Sequence, residues 1–313
     1  MAEKRTKIPV YSLIRWVGTI SAIVLVVYLL NKQGWEQILS VVRQIGTGRF
    51  VLAIVLVVVS RLMMAGRWYI LLRSSEGEAT IFDALRLTFA GLFANNFLPS
   101  TVGGDVVRLA GAVQAGYDGA ISAASLIVDR LVGMFGMALT LPIGLYRVFL
   151  NSTPLAAVAS PSVPLAAGLL PVSLREYWEK ILSRVRSLLR RVVQALALWM
   201  RRPRTLLGSL LFTGLHMACL FGIIWLFLTG MNDPVPYWLI GGLWSLVYFV
   251  TLIPVSINGL GVQEVAITFA FSTLGGASEQ SSLTLALLIR TLFILASLPG
   301  AIFLPGILPE VKK

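Results

Sequence analysis

Residues 95–108, NNFLPSTVGGDVVR, interrupt a chain that is apolar on both sides of them. The stretch passes through proline and serine into two glycines, an acid and an arginine. A second stretch, PVSINGLGVQE at 254–264, follows the same order as far as the acid. Non-helical backbone at membrane depth persists only where it lines a cavity or is buried in protein. Two such breaks, one in each half of the chain, are typical of a repeat-derived transporter with its site between them.

The composition excludes a water-soluble globule and a disordered chain. Of the 313 residues, 57% are hydrophobic and 13% are charged, which is about half the charged share of a soluble protein. The mean hydropathy is +0.84. At about 20 residues per span, the chain is long enough for roughly eight crossings. We therefore predict an all-α polytopic membrane protein, a single integral membrane domain over residues 1–313, with one or two glycine-broken re-entrant hairpins in a pseudo-repeat arrangement.

Most of the net charge of +12 lies in two basic segments. These are the N-terminus, residues 1–13, and the segment 174–204, which carries nine Lys and Arg against two Glu. Cytoplasmic loops are rich in Lys and Arg, so we place both segments on the cytoplasmic side of the cell membrane. There they would contact anionic lipid, and no nucleic-acid partner is expected. The apolar residues of 174–204 recur at helical spacing, which predicts either an amphipathic helix on the membrane surface or a helix packed on the protein.

The number of spans between these two basic segments must be even, because both are expected on the same side. Four apolar runs qualify: 14–30, 50–72, 120–147 and 153–171. The run 82–115 is then unable to cross, and we predict a re-entrant hairpin there. Further span-length apolar runs follow at 205–229, 237–254 and 283–306. The second glycine-broken motif, 254–276, fits either a span or a hairpin.

Ionisable residues inside the apolar runs are the strongest sign of a functional site. An intramembrane charge costs a few kcal/mol or more, so it is usually paired or lines a polar cavity. Five arginines lie at membrane depth against three acids, Asp105, Asp129 and Glu264. Ion pairing alone cannot absorb this excess, whereas an anionic ligand such as a lipid phosphate would. Asp129 and Arg130 diverge by about 100° on a helix, so they face different partners; Arg290 and Arg61 are both candidates to pair with Asp129.

The candidate substrate-binding site combines the two breaks with these charges. We predict that Arg108 and the helix starts after Gly104 and Gly261 hold a lipid phosphate, because glycine allows close approach and helix-start N–H groups bind anions. Asp105 and Glu264 would cap these helices or pair with arginine. The alternative is that both breaks are ordinary surface loops. The full set of candidate residues is Asn95, Asn96, Pro99, Ser100, Gly103, Gly104, Asp105, Arg108, Asp129, Arg130, Ser256, Asn258, Gly259, Gly261, Glu264, Arg61, Arg67 and Arg290.

An enzyme acting on a lipid phosphate is a second function class, and a non-transporting scaffold for an envelope-lipid enzyme is a third. The single histidine, His216, lies in an apolar run without a neighbouring carboxylate, which favours a core histidine over a catalytic one. No phosphate-cradling GxxxxGK[ST] motif occurs, so nucleotide hydrolysis is not expected. No metal site and no cofactor are predicted.

Four stretches carry a family resemblance: 66–109 (GRWYILLRSS…FDALRLTFAGLFANNFLPSTVGGDVVRL), 124–136 (ASLIVDRLVGMFG), 252–267 (LIPVSINGLGVQEVAI) and 295–304 (LASLPGAIFL). In these the chain resembles the lysylphosphatidylglycerol synthase transmembrane-region family, also called flippase-like. The resemblance implies a likeness to the flippase half of the bacterial multiple peptide resistance factor. It therefore implies a transporter that moves a polar lipid or lipid-linked cargo between leaflets, with about eight spans and re-entrant segments.

The resemblance does not extend to synthesis of the lipid. No soluble synthase domain is present in the 313 residues, so synthase activity is not implied and the lipid is not specified. The expected partner is a membrane phospholipid or lipid-linked substrate, one that is anionic and contains phosphate. A homodimer and a separate lipid-modifying enzyme are further partners that the sequence leaves open.

Overall fold

A computed structural model describes residues 44–98, 103–151, 199, 201–252 and 261–307, and the regular structure in these ranges is helical. The first half contains α1 (Thr47–Glu76), α2 (Ile81–Ala94), α3 (Gly103–Gln114) and α4 (Gly119–Asn151). The second half contains α5 (Pro203–Gly230), α6 (Tyr237–Thr251), α7 (Val262–Phe269) with a π-helical continuation (Ala270–Leu274), α8 (Glu279–Ser297), α9 (Gly300–Phe303) and a 3₁₀ turn (Leu304–Gly306). The predicted runs 14–30 and 153–171 lie outside the described residues, as does most of 174–204.

Four long apolar helical stretches can cross a membrane. They are Thr47–Ser75, Gly119–Leu150, Pro203–Gly230 and Glu279–Gly306, each of 28 residues or more. At a rise of 1.5 Å per residue, such a stretch is about 42 Å long, which exceeds the roughly 30 Å hydrocarbon core. These helices make the chain an integral membrane protein.

Two pairs of short helices separate the long ones. The first hairpin consists of α2 and α3, which have 14 and 12 residues. The second hairpin consists of α6, with 15 residues, and α7 with its π-helical continuation. A helix of 15 residues is about 22 Å long, too short to cross the hydrocarbon core. The run 237–254 predicted a span, but its helix ends at Thr251, because apolar composition does not show where the helix stops ahead of the break.

The two ends of the first hairpin meet. The hydroxyl of Tyr117, just after α3, donates a hydrogen bond to Asp83 in the first turn of α2 (2.8 Å) and accepts one from the N–H of Thr80 (3.3 Å). Thr80 also caps α2, since its side chain accepts a hydrogen bond from the N–H of Asp83. The chain therefore enters and leaves this hairpin at one place, next to the C-terminal end of α1.

The long helices α1 and α5 are antiparallel along their whole length. Ile45 packs on Gly230, the rings of Phe50 and Phe227 are 6.4 Å apart, and Trp199 donates to the carbonyl of Leu71 (3.2 Å). The first hairpin follows the C-terminal end of α1, and the second follows the C-terminal end of α5. Because α1 and α5 are antiparallel, the two hairpins open at opposite ends of the protein.

Matching ion pairs occur at equivalent places in the two halves. Asp105, in the first turn of α3, pairs with Arg130 of α4, and Glu264, in the first turn of α7, pairs with Arg290 of α8. Arg130 and Arg290 occupy the same place in their helices, eleven residues after the first residues Gly119 and Glu279. Each half thus contains a long helix, a short hairpin and a second long helix, with an acid–arginine pair at the same register.

Candidate functional site

A polar cavity of about 270 Å³ lies where the inner ends of the two hairpins meet. The first hairpin contributes Asn95 and Gly104, and the second contributes Leu252 and Gln263. The long helices α1 and α4 complete the wall. Seven of the residues predicted from the sequence line this cavity: Arg67, Asn95, Gly104, Asp105, Arg108, Asp129 and Arg130.

Two carboxylates hold three arginines in this cavity. Asp129 accepts hydrogen bonds from Arg67 Nε (2.6 Å) and from Arg108 Nη1 (3.3 Å). Asp105 accepts from Arg108 Nη1 (3.1 Å) and from Arg130 Nε. Asp129, Arg67 and Arg108 are all at least nine-tenths buried. Asp129 therefore pairs with Arg67 and Arg108 rather than with Arg61 or Arg290, and the ionised side chains that line the cavity sum to +1.

One edge of the Arg108 guanidinium, formed by Nε and Nη2, makes no hydrogen bond within the described residues. Its Nε and Nη2 atoms are buried without a hydrogen-bond partner among the described residues, while its Nη1 serves both carboxylates. The guanidinium carbon lies 4.3 Å from the centre of the Trp68 ring, which fixes the plane of the group. A buried donor without a partner is costly, so this edge is suited to a ligand that supplies acceptors.

Thr88 is a site residue that the sequence prediction missed. Thr88 lines the cavity, and its hydroxyl is buried without a hydrogen-bond partner within the described part of the chain. Thr88, Gly91 and Asn95 are spaced by three and four residues, so they share one face of α2. That spacing of small and polar residues in an apolar run was a signal in the sequence that could have identified Thr88.

The N–H groups of the two glycines at the predicted helix starts already have acceptors. The N–H of Gly104 donates to Asn95 Oδ1 (2.6 Å), and the N–H of Gly261 donates to Glu264 Oε2 (2.8 Å). In the second contact the side chain of Glu264, in the first turn of α7, reaches back to the N–H of the N-cap residue. The prediction itself concerned the N–H groups that follow these glycines at the starts of α3 and α7, and it stays a prediction.

Gly104 is required for the close approach of α2 and α3. A Cβ atom at this position would overlap the carbonyl oxygen of Gly91 and the side-chain amide of Asn95. Gly261 meets a different requirement, since its φ of 82° lies in the left-handed region and no atom lies near its Cβ position. Gly103 is buried, and its Cβ would meet the side chain of Leu98.

Arg61 and Arg290 lie behind the cavity wall rather than in it. Arg61 donates to the sulfur of Met64 (3.4 Å), which lines the cavity, and its guanidinium lies 4.2 Å from the centre of the Phe293 ring. Arg290 pairs with Glu264 and lies 3.5 Å from the amide oxygen of the lining residue Gln263. Both arginines contribute positive potential without touching the cavity.

The remaining predicted residues lie elsewhere. Asn96 turns away from the cavity and donates to Ser297 Oγ (2.8 Å). His216 shares a 2.7 Å hydrogen bond with Ser60, which fits a core histidine. Pro99, Ser100, Ser256, Asn258 and Gly259 lie outside the described residues. In the described ranges no cluster of His, Cys, Asp and Glu could hold a metal ion.

In the described residues, the hydrogen bonds that connect the two halves have neutral acceptors. Asn96 is hydrogen-bonded to Ser297, Thr140 to Ser245 (2.6 Å) and Ser60 to His216. Arg67, in the first half, donates a hydrogen bond to a neutral acceptor in the second half, Thr213 Oγ1 (3.2 Å). The ion pairs described above all join two residues of the same half.

Long apolar helices around a cavity lined by three arginines define an integral membrane protein. The chain belongs to the family described as the lysylphosphatidylglycerol synthase TM region, whose model matches residues 15–300. This match confirms the resemblance found in the sequence and connects the protein with membrane lipids. Neither a curated protein nor a solved structure matches the chain.

Proposed function

We propose that this protein is a lipid transporter that moves a polar, phosphate-containing lipid between the two leaflets of the cell membrane. The observation that carries the proposal is the cavity between the two hairpins, where a buried arginine keeps one edge without a partner. A lipid headgroup in this cavity would satisfy that edge, while the acyl chains remain in the hydrocarbon. Membership of a membrane-lipid family supports the same conclusion.

The inverted repeat supplies the transport mechanism in this proposal. Transporters built from inverted repeats bind substrate near the midplane and expose it to one side and then to the other as the halves rock. Met64 and Arg67 lie near the middle of α1, about 18 Å and 14 Å from its C-terminal end at 1.5 Å per residue. The cavity that they line is therefore placed close to the midplane of a bilayer that α1 crosses.

In the same proposal both hairpins are re-entrant, and each opens to a defined side of the membrane. With the N-terminus and residues 174–204 in the cytoplasm, the first hairpin opens to the cytoplasm and the second to the outside. We expect single cysteines at Ser74 and Gly116 to react with an impermeant thiol reagent from the same side, in a background where Cys219 is replaced by alanine. A cysteine at Asn232 serves as the control and should react from the other side. Reaction of Ser74 and Gly116 from opposite sides would contradict the first hairpin.

Reconstitution tests the activity itself. The purified protein in vesicles should equilibrate a labelled anionic phospholipid between leaflets without changing its chemistry. A changed headgroup would instead indicate an enzyme acting on lipid phosphate. Failure of the wild-type protein to move anionic, zwitterionic or cationic lipids would exclude transport and favour a scaffold role.

Arg108→Gln should slow this movement by about tenfold to a hundredfold, because hydrogen bonds to a charged group are worth about 1.5–3 kcal/mol. The variant should stay folded, because the ion pairs Arg67–Asp129 and Arg130–Asp105 do not involve Arg108. Arg73→Gln, at the exposed C-terminal end of α1, is the matched control and should move lipid at the wild-type rate. Wild-type transport by Arg108→Gln would remove Arg108 from the site.

A further inference from the structure

We propose that the cavity selects a headgroup with one net negative charge, a phosphodiester of an uncharged alcohol, and rejects cationic aminoacylated headgroups. This inference rests on the proposed function and names its substrate class. It departs from the lysylated lipid in the family's description, whose headgroup carries ammonium groups. Three observations support it: the free donors of the cavity, its engaged acceptors and its net charge.

Two residues that line the cavity, Arg108 and Thr88, carry three buried donor atoms without a hydrogen-bond partner in the described residues. The Nε–H and one N–H of Nη2 point in parallel from one edge of a guanidinium, and this fork matches two oxygens of a phosphate. The stem of Arg108 passes directly over Gly91, where a Cβ would lie 2.9 Å from its Cγ. The guanidinium therefore crosses the face of α2 that carries Thr88, whose hydroxyl is the third donor without a partner in the described residues.

Arginines already engage both carboxylates of the cavity. Asp129 accepts from Arg67 and Arg108, and Asp105 accepts from Arg108 and Arg130. A cationic headgroup that took the place of one of these arginines would leave a buried guanidinium without its counter-ion. Breaking a buried ion pair in this way is strongly unfavourable.

The net charge of the cavity also favours a headgroup with one negative charge. Three arginines against two carboxylates line the cavity, a net charge of +1. A headgroup of charge −1 makes the cavity neutral, whereas a cationic headgroup raises its charge and a dianionic phosphomonoester leaves an excess of negative charge. Uncompensated charge in a low-dielectric site is costly.

The test compares four lipids that differ only in the headgroup: a phosphodiester of glycerol (−1), a phosphomonoester, a choline zwitterion and the lysylated cation. Vesicles containing the full-length protein report translocation of each labelled lipid. Short-chain versions added to the detergent-solubilised protein report binding through the shift in Tm. We expect the glycerol phosphodiester to move and to bind at least tenfold better than the cation. Inorganic phosphate, in a parallel thermal titration, should bind more weakly than the phosphodiester lipid.

Two variants connect the selectivity with the cavity. Thr88→Val removes the hydroxyl with little change in shape and should reduce translocation of the phosphodiester lipid about threefold to tenfold, the loss expected for one hydrogen bond. The control is Thr268→Val, which removes another buried hydroxyl that has no partner in the described residues and does not line the cavity. This variant should keep the wild-type rate. Equal translocation rates for the two variants would show that Thr88 does not contact the headgroup.

The outcomes separate the inference from the function on which it rests. If the cation moves as fast as the phosphodiester, the selectivity is wrong and the transport function stands. If the phosphodiester binds preferentially but no lipid moves, the selectivity stands and the transport function is wrong. If inorganic phosphate binds as well as the lipid, the site serves a free anion and the lipid assignment is overturned. If nothing binds and nothing moves, both are overturned.

Discussion

Replacing Asp129 by asparagine is expected to destabilise the protein by about 3–5 kcal/mol, the cost of removing one partner from a buried ion pair. Asp129 is 2% exposed and is the acceptor that connects Arg67 of α1 with Arg108 of α3. Without its charge, the Nε of Arg67 loses its carboxylate and Arg108 keeps only Asp105. The helices α1, α3 and α4 would lose the charge that joins them.

The measurement is thermal unfolding of the detergent-solubilised protein. The variant Glu279→Gln, which removes an exposed acid in the first turn of α8, is the control and should change stability by less than about 0.5 kcal/mol. The double variant Arg67→Gln/Asp129→Asn restores the cavity charge of +1 and should recover part of the loss. A single variant as stable as the wild-type protein would show that Asp129 is not the residue that joins these helices.

Gly104→Val should abolish correct folding of the first hairpin. The added side chain would overlap the carbonyl oxygen of Gly91, which is backbone and cannot move aside as a flexible side chain can. The contact between α2 and α3 would have to open, and the hydrogen bond from the N–H of Gly104 to Asn95 would be lost. We expect little monodisperse protein and no lipid movement.

The matched control is Gly214→Val, in the interior of α5, where no atom of a neighbouring residue lies within 4 Å of the Cβ position. It introduces the same side chain into a helix without a collision, so its yield and elution profile should match those of the wild-type protein. Size-exclusion chromatography after extraction distinguishes the two variants. Similar behaviour of both would mean that α2 and α3 tolerate a wider separation.

Local chemistry explains which parts of the fold could be predicted. Proline and glycine mark the break after Leu98, so the sequence indicated where α2 ends and where α3 begins. The end of α6 at Thr251 was not readable, because the apolar residues continue past it. A glutamate three residues after the N-cap can reach back to the N–H of the N-cap residue, so the spacing of Gly261 and Glu264 could have shown that this helix start supplies its own acceptor.

The partners of the buried charges could not be predicted. Asp129 and Arg67 are separated by 62 positions in the chain, and whether they meet depends on how α1 and α4 are rotated about their axes. The excess of arginine over acid was a better guide than any particular pair, because the sum of charges does not depend on rotation. It directed attention to Arg108, whereas the two donor atoms of Arg108 that have no partner in the described residues emerge only from the three-dimensional arrangement.

The ion pairs of the described residues that are named above lie within single halves, which has a consequence for the height of the barrier between conformations. Separating oppositely charged groups in a low-dielectric medium costs several kcal/mol for each pair. Relative displacement of the halves leaves these pairs intact and exchanges hydrogen bonds such as Asn96–Ser297 and Thr140–Ser245, each worth about 1 kcal/mol net. In the proposed transporter, a displacement that exchanges these hydrogen bonds would break no ion pair of the described residues.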